Sequence, residues 1–430
     1  MRFKYLILLI LLSNLCGIVS AQIPRSNDFH NRYKLSEVVV MSRHNIRSPL
    51  AGRGSVLDRI TPHNWHTWSS SSSRLTLKGA VMETRMGQYF HGWLVNDGLF
   101  SEDEIPHADE VRIYANSMQR TIATARYFMS GMLPLSSVPV EHHCSIGTMD
   151  SIFTPQITWI NDDFCQTAFQ QIAEKNGETA TVHKLSPETY YCVLNNTPKK
   201  LTNSYSSMRS VLDIQQSPAC VQGDTCDFSG PDTIWLRLND EPRTTGALKM
   251  AYSASDALIL QYYEEPDDNK AAFGHHLNYS DWVLISEIKD WYGDLLFTSP
   301  VVAKQTAAPL LNEIARELNT PHRKFTFLCG HDSNIGSILT ALGISNYELP
   351  ETIEKKTPIG MKVVFEKWVD NIGEYYIAVN LVYHSTQQIR QGQYSEEDNV
   401  PVIFPLHFNG ISANSDGLYP FDRFIQFVTR

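Results

Sequence analysis

Apolar residues along this chain fall into two kinds of run, and the two kinds alternate. Val38-Val39-Val40-Met41 is a β-branched run, so Leu35 to Met41 is predicted to be a buried strand. It stops at Ser42-Arg43-His44-Asn45-Ile46-Arg47-Ser48-Pro49, where charge and proline replace hydrocarbon. From Thr76 to about Asn96, the positions Val81, Met82, Met86, Tyr89, Phe90 and Trp93 follow helical spacing. Val111-Arg112-Ile113-Tyr114 reads as a second strand, and Ser117 precedes a helix from about Gln119 to Met132. A third strand, Phe325 to Cys329, runs into Gly330-His331-Asp332-Ser333-Asn334 and then a helical stretch, Ile335 to Leu342. Gly360 to Trp368 and Glu374 to Val382 form a later strand pair.

Three strands thus each deliver polar residues at their carboxyl ends, where ligands bind in open α/β sheets. The expected fold is α/β, a sheet core with helices on both faces. Between about 150 and 294 the pattern changes to helical runs, such as Ala247 to Glu264, with irregular loops and few convincing strands. This predicts a mainly helical insertion domain, 150–294, in a core formed by 22–149 and 295–430.

The first residues change the picture of where the chain works. Arg2 and Lys4, then the apolar run Leu6 to Leu12, then Ser20-Ala21, have the order of a secretory signal cleaved after Ala21. The run is short of the about 20 residues that cross a bilayer, so no stable membrane anchor is expected. The expected location is periplasmic or secreted. Cleavage removes two basic residues and no acidic one, taking the formal net charge from −10 to −12. Such an acidic chain has no general attraction for nucleic acid, and any anion it binds needs a local cluster of cations. Six cysteines remain, and Cys220 and Cys226 are close enough to close a small disulfide loop, two free thiols being the alternative. No Cys-x-x-Cys pair or histidine cluster by spacing points to a metal.

Arg43, His44 and Arg47 supply what a phosphoryl group requires. Planar guanidinium forks donate paired bonds to its oxygens, and a histidine between two cations is disfavoured in its protonated form, hence nucleophilic. A surface turn with solvated arginines would give the same four-letter pattern. The second cluster tips the balance: Asp332 is suited to protonate a leaving oxygen and His331 to donate to phosphate, although Asp332 alone would read as a helix cap. Arg120, near a helix start, fits a further phosphate donor or an ordinary exposed arginine.

With these residues in view, the stretches Arg43 to Pro49 and His331-Asp332 resemble the signatures of the histidine acid phosphatases, the family that includes bacterial phytases. Further matching stretches include Tyr114 to Ser117, Gln119 to Thr121, Gly147 to Asp150, Gln261 to Glu264, Leu296 to Pro300 and Thr357 to Gly360, so the resemblance spans nearly the whole mature chain. It implies a phosphoglycerate-mutase-like core and hydrolysis of phosphate monoesters, glucose 1-phosphate or related sugar phosphates, with phytate as the alternative substrate. By the same resemblance His44 becomes phosphohistidine, Asp332 is the proton donor, and Arg43, Arg47, Arg120 and His331 hold phosphate. Asn116, Glu241 and Asp256 correspond to pocket residues, and each equally fits a solvated or capping role. No cofactor and no metal are implied, and the partners are small phosphate esters. A non-catalytic phosphosugar-binding protein on the same fold is disfavoured, because every expected catalytic residue is present.

The chain departs from its relatives in three places. Asn45 stands where many have glycine. Leu50 replaces a threonine of dedicated phytases, which removes a hydroxyl and argues mildly against an inositol-polyphosphate specialist. Ile411 and Tyr419 occupy the positions of a C-terminal cysteine pair, while the Cys220–Cys226 loop matches.

Overall fold

The computed structural model describes residues 25–429 apart from 27, 53, 345 and 393–399. The expected signal segment, 1–21, lies outside the described residues. Twelve strands are present among those described: β1 Tyr33–Arg43, β2 Val111–Ala115, β3 Val140–Glu141, β4 His183–Ser186, β5 Thr189–Leu194, β6 Asp232–Arg237, β7 Arg243–Gly246, β8 Phe325–Gly330, β9 Lys362–Asp370, β10 Tyr375–Tyr383, β11 Val402–Pro405 and β12 Tyr419–Pro420. The main sheet has the order β11-β10-β9-β1-β8-β2-β3, with β12 on β10. Its centre is parallel, since β1, β8, β2 and β3 run the same way; β9 runs opposite to β1, and β10 pairs antiparallel with β9.

Strict alternation along the strands explains why the helices occupy both faces. Val38 and Val40 of β1, with Phe325 and Phe327 of β8, pack against the helices Leu77–Asn96 and Gln119–Met132. Val39, Met41 and Leu328 point the other way, into helices Pro300–Glu317, Asp332–Ala341 and Phe421–Val428. A sheet buried on both faces has no polar side, which is why Val38 to Met41 of β1 and Phe325 to Cys329 of β8 read as largely apolar runs.

The third core belongs mainly to the intervening stretch. Helices Asp162–Lys175, Ala247–Glu264 and Tyr279–Phe297 gather around Phe169, Leu258 and Trp291. This part is mainly helical, as expected, but it also holds a second sheet, β4-β5-β6-β7, antiparallel throughout. That sheet was not legible: its strands are four to six residues long. Burial along β5 alternates, with Tyr190, Cys192 and Leu194 inward. The helix Tyr279–Phe297 continues past position 294, and the chain turns at Thr298-Ser299 into the helix Pro300–Glu317.

Cys220 and Cys226 form the disulfide, and Cys144, Cys165, Cys192 and Cys329 are free thiols. Among the described residues no helix is long and apolar enough to cross a membrane.

Candidate active site

Strand register brings the polar loops together. Arg43 at the end of β1 pairs in register with Gly330 at the end of β8, and Ala115 at the end of β2 with Cys329. The loops that begin at His44, His331 and Asn116 therefore leave one edge of the sheet side by side. The His44 N–H donates to the Gly330 carbonyl at 3.0 Å, and the His44 carbonyl accepts from the Gly360 N–H at 3.2 Å. Gly330 admits no side chain, because a Cβ there would lie 2.5 Å from Asn334 Oδ1 and 2.8 Å from Met41 Cε.

The protonation of His44 follows from its neighbours. Its Nδ1 lies 2.9 Å from the Asn45 carbonyl, which can only accept, so Nδ1 carries the hydrogen and Nε2 keeps its lone pair. Burial, then Arg120, Arg47, His331 and Arg43, hold its pKa well below the ordinary imidazole value. The ring is thus kept neutral, with the Nε2 lone pair available, in mildly acidic solution.

Asn45 is part of the support beneath it. Its amide donates to Glu83 at 2.6 Å and its Oδ1 accepts from the Ile46 N–H at 2.8 Å. Glu83 in turn takes Lys362 Nζ at 3.1 Å on both oxygens, all of it buried. Gly360 closes over this cluster at φ +68°, where a Cβ would come within 2.5 Å of the Asn45 amide. Lys362→Met strands a buried carboxylate, and we expect it to destabilise the fold by about 3–5 kcal/mol. Thermal unfolding checks this; a midpoint within ~1 °C of wild type contradicts it.

Further hydrogen-bond donors converge on the same space. Asn116 is fully buried; its Oδ1 accepts from the Asp150 N–H at 2.9 Å, which directs its NH2 to His331 Nε2 at 2.8 Å. His331 must then accept at Nε2 and carry its hydrogen on Nδ1, which lies 3.5 Å from Arg120 Nη2. Two donors so close are favourable only toward a shared anion. Burial and Arg47 push Arg120 down to about 10, and burial and Arg120 hold His331 well below its ordinary value. The Nε groups of Arg43, Arg47 and Arg120 are buried without a hydrogen-bond partner among the described residues. Unpaired guanidinium donors of this kind suit a phosphate.

Asp332, at the first position of its helix, faces the opposite demand. Its Oδ2 lies 3.3 Å from Arg43 Nη2 and 3.8 Å from Lys289 Nζ. Burial works to raise its pKa, but Arg43, Lys289, His331 and Arg47 outweigh that and hold the carboxyl below the usual carboxylate range. Arg43 and Lys289 are themselves shared with Glu354, at 2.9 and 2.7 Å. Against the effect of burial, those two cations bring Glu354 down to about 2. His44, Arg47, Arg120, His331, Asp332 and Glu241 line one cavity of about 810 Å³.

Residues 34–384 match the family model described as the histidine phosphatase superfamily, branch 2. The chain belongs to that family. It is 38% identical to a glucose-1-phosphatase of Salmonella typhimurium over 91% of either chain. A glucose-1-phosphatase of Providencia rettgeri shares 32% identity over 99% of each. Among solved structures, the apo form of Hafnia alvei phytase superposes with a TM-score of 0.79 at 26% identity, covering 92% of this chain and 96% of that one.

Within this phosphatase, folding sorts the expected site residues into two shells. Glu241 lies at the cavity wall. Asn116 and Asp256 stand behind it: Asn116 is consumed by His331 and Asp150, and buried Asp256 accepts Arg47 Nη2 at 3.1 and 3.2 Å. Neither residue is on the lining of the cavity, and the polar groups of both are taken by protein partners. Sequence reading missed Lys289 and Glu354 altogether. For Asp256→Asn we expect KM for a phosphate ester to rise about tenfold, because Arg47 loses a charged partner, with kcat less affected. Steady-state kinetics check this, and an unchanged KM counts against the positioning role.

Proposed function

We propose that this chain is a secreted histidine acid phosphatase that hydrolyses phosphate monoesters, glucose 1-phosphate or related sugar phosphates, through a phosphohistidine at His44. The observation that carries the reading is the presence of His44 and Asp332 on the wall of one cavity with Arg47, Arg120 and His331 between them. In the first step His44 Nε2 forms a bond to phosphorus, the ester P–O bond breaks, and Asp332 gives its proton to the leaving oxygen. In the second, Asp332 takes a proton from water, the oxygen attacks phosphorus, and the P–N bond breaks to free His44 and phosphate. Arg43, Arg47 and Arg120 stabilise charge on the transferring oxygens, where most of the rate gain lies.

The glucose-1-phosphatases named above and the exposed Leu50 at the cavity rim support a sugar-phosphate substrate. A phytase is the second reading, favoured by the basic residues Arg237, Arg243 and Lys249 on the same wall. Two measurements test the proposal. A rapid quench in base with radiolabelled glucose 1-phosphate should trap one labelled phosphate per wild-type chain and none in His44→Ala. A substrate panel should give a higher kcat/KM for glucose 1-phosphate than for phytate; the reverse order transfers the assignment to the phytase reading.

The division into a core, 22–149 with 295–430, and an insertion, 150–294, belongs to the same proposal: the insertion supplies Glu241 to the wall of a pocket founded on the core, and Asp256 and Lys289 to the ion pairs behind it. Secretion rests on the N-terminal signal, and a mature chain beginning at Gln22 is its expected consequence.

A further inference from the structure

Away from this pocket, folding gathers three side chains that no step of the reaction uses. His63 lies in the loop between β1 and the helix Leu77–Asn96, Asp213 in the turn after the helix Thr202–Val211, and His275 shortly before the helix Tyr279–Phe297. His63 Nε2 is 2.7 Å and His275 Nε2 is 3.0 Å from the same oxygen, Asp213 Oδ2. The three ligand atoms all lie within 4.8 Å of one another. The His63 ring is stacked on Phe273, with 5.0 Å between centroids and 13° between planes, so its direction is fixed by packing. Each of the three side chains is about 30% exposed, which leaves an entry path.

We propose that His63, Asp213 and His275 form a binding site for a borderline divalent metal ion, Zn²⁺ in the first instance. The donor set is the reason. Magnesium and calcium take oxygen ligands almost exclusively, whereas two imidazole nitrogens and one carboxylate oxygen suit zinc and its neighbours. The spacing is compatible with it: bonds of about 2.1 Å in a tetrahedral site set ligand atoms about 3.4 Å apart. The N–O separations of 2.7 and 3.0 Å need widen only by about 0.7 and 0.4 Å, a small side-chain rotation for groups that are partly solvated. On binding, the hydrogen that each Nε2 shares with the carboxylate moves to Nδ1 or to solvent. Beside His63 is an open cavity of about 610 Å³, so water completes the coordination.

The three ligands come from positions 63, 213 and 275, and for that reason no spacing in the sequence announces them. Their loops join the first connection of the core to two segments of the insertion. The Ala219 N–H also donates to the Arg59 carbonyl across this junction at 2.9 Å, close in sequence to the Cys220–Cys226 disulfide. The role that follows is a staple between loops and not a part in phosphoryl transfer.

The test uses untagged mature protein freed of metal with a chelator, at pH 7.5 in a buffer without phosphate. Titration calorimetry should find one Zn²⁺ per chain. At zinc a hundredfold above its Kd, thermal unfolding should rise by roughly 3 °C. Co²⁺ should give the visible absorption of a tetrahedral nitrogen–oxygen site. His275→Gln and Asp213→Asn should each weaken zinc binding more than tenfold and abolish the cobalt spectrum, while His44→Ala should retain both. Hydrolysis of glucose 1-phosphate at the wild-type rate, without zinc, shows that the His275→Gln and Asp213→Asn variants are folded. Should one of them fail to fold, the other decides. An absence of any zinc-dependent shift in the wild type, or an equal shift in both variants, overturns the site and leaves a hydrogen-bonded His–Asp–His latch.

Discussion

His44→Ala should lower kcat on glucose 1-phosphate and on 4-nitrophenyl phosphate alike, by more than about 10⁴-fold. The two substrates differ in their leaving groups, but the nucleophile meets phosphorus in both, so its removal cannot be offset by an easier departure. Phosphate binding should survive, because Arg47, Arg120 and His331 do not depend on the imidazole for their positions: Arg47 is held by Asp256, and His331 by Asn116 and the Asn334 side chain. Inorganic phosphate should therefore bind the variant within about threefold of wild type, as read by calorimetry. An alanine variant that keeps one-hundredth of the activity, or that loses phosphate binding together with activity, sinks the nucleophile assignment. The neutral state of His44 extends the prediction to pH: its pKa is held well below the ordinary value, so no acid limb from its protonation should appear in kcat/KM near pH 6.5.

What could be read from the sequence was what the chain states locally. β1 and β8 are buried on both faces, so Val38 to Met41 and Phe325 to Cys329 read as largely apolar runs, and their ends are marked by the switch to Arg43-His44 and His331-Asp332. The helix Ala247–Glu264 was legible to its last residue because it is long and almost wholly apolar on its packed side. Asn116 and Asp256 were named as pocket residues by resemblance alone, and only folding shows that their polar groups are taken by His331 and Arg47. Lys289 and Glu354 carried no signal. Lys289 sits in a helix among the acidic residues Asp281, Glu287, Asp290 and Asp294, with no motif to single it out, and Glu354 lies between Ile353 and Lys355 in a stretch that reads as a solvated loop. Their burial together under Arg43 and Asp332 comes from three segments far apart in the chain, and no local pattern encodes such a meeting.

That unforeseen network alters what should be expected of Asp332. A proton donor must hold a proton, yet Arg43 and Lys289 keep this carboxyl ionised in the ligand-free site. The substrate resolves the conflict. A phosphate monoester loses its second proton near pH 6, so below that pH it arrives as a monoanion and can hand its proton to Asp332 on binding. Its negative charge also neutralises the surrounding guanidinium groups, which raises the carboxyl's affinity for the proton. The sign is then fixed: kcat/KM should fall about tenfold per pH unit above roughly pH 6, as the monoanion disappears. Asp332→Asn removes the donor while keeping the shape, and its effect should depend on the leaving group. Glucose 1-phosphate, which departs as an alkoxide unless protonated, should react about 10²–10⁴-fold more slowly. 4-Nitrophenolate departs without help, so its first turnover should stay within about tenfold of wild type, followed by slow hydrolysis of a phosphohistidine that has lost its general base. Stopped-flow absorbance should show this as a burst of one nitrophenolate per chain. Equal losses on both substrates, with no burst, would mean that Asp332 acts only by holding Arg43 and Lys289 in place.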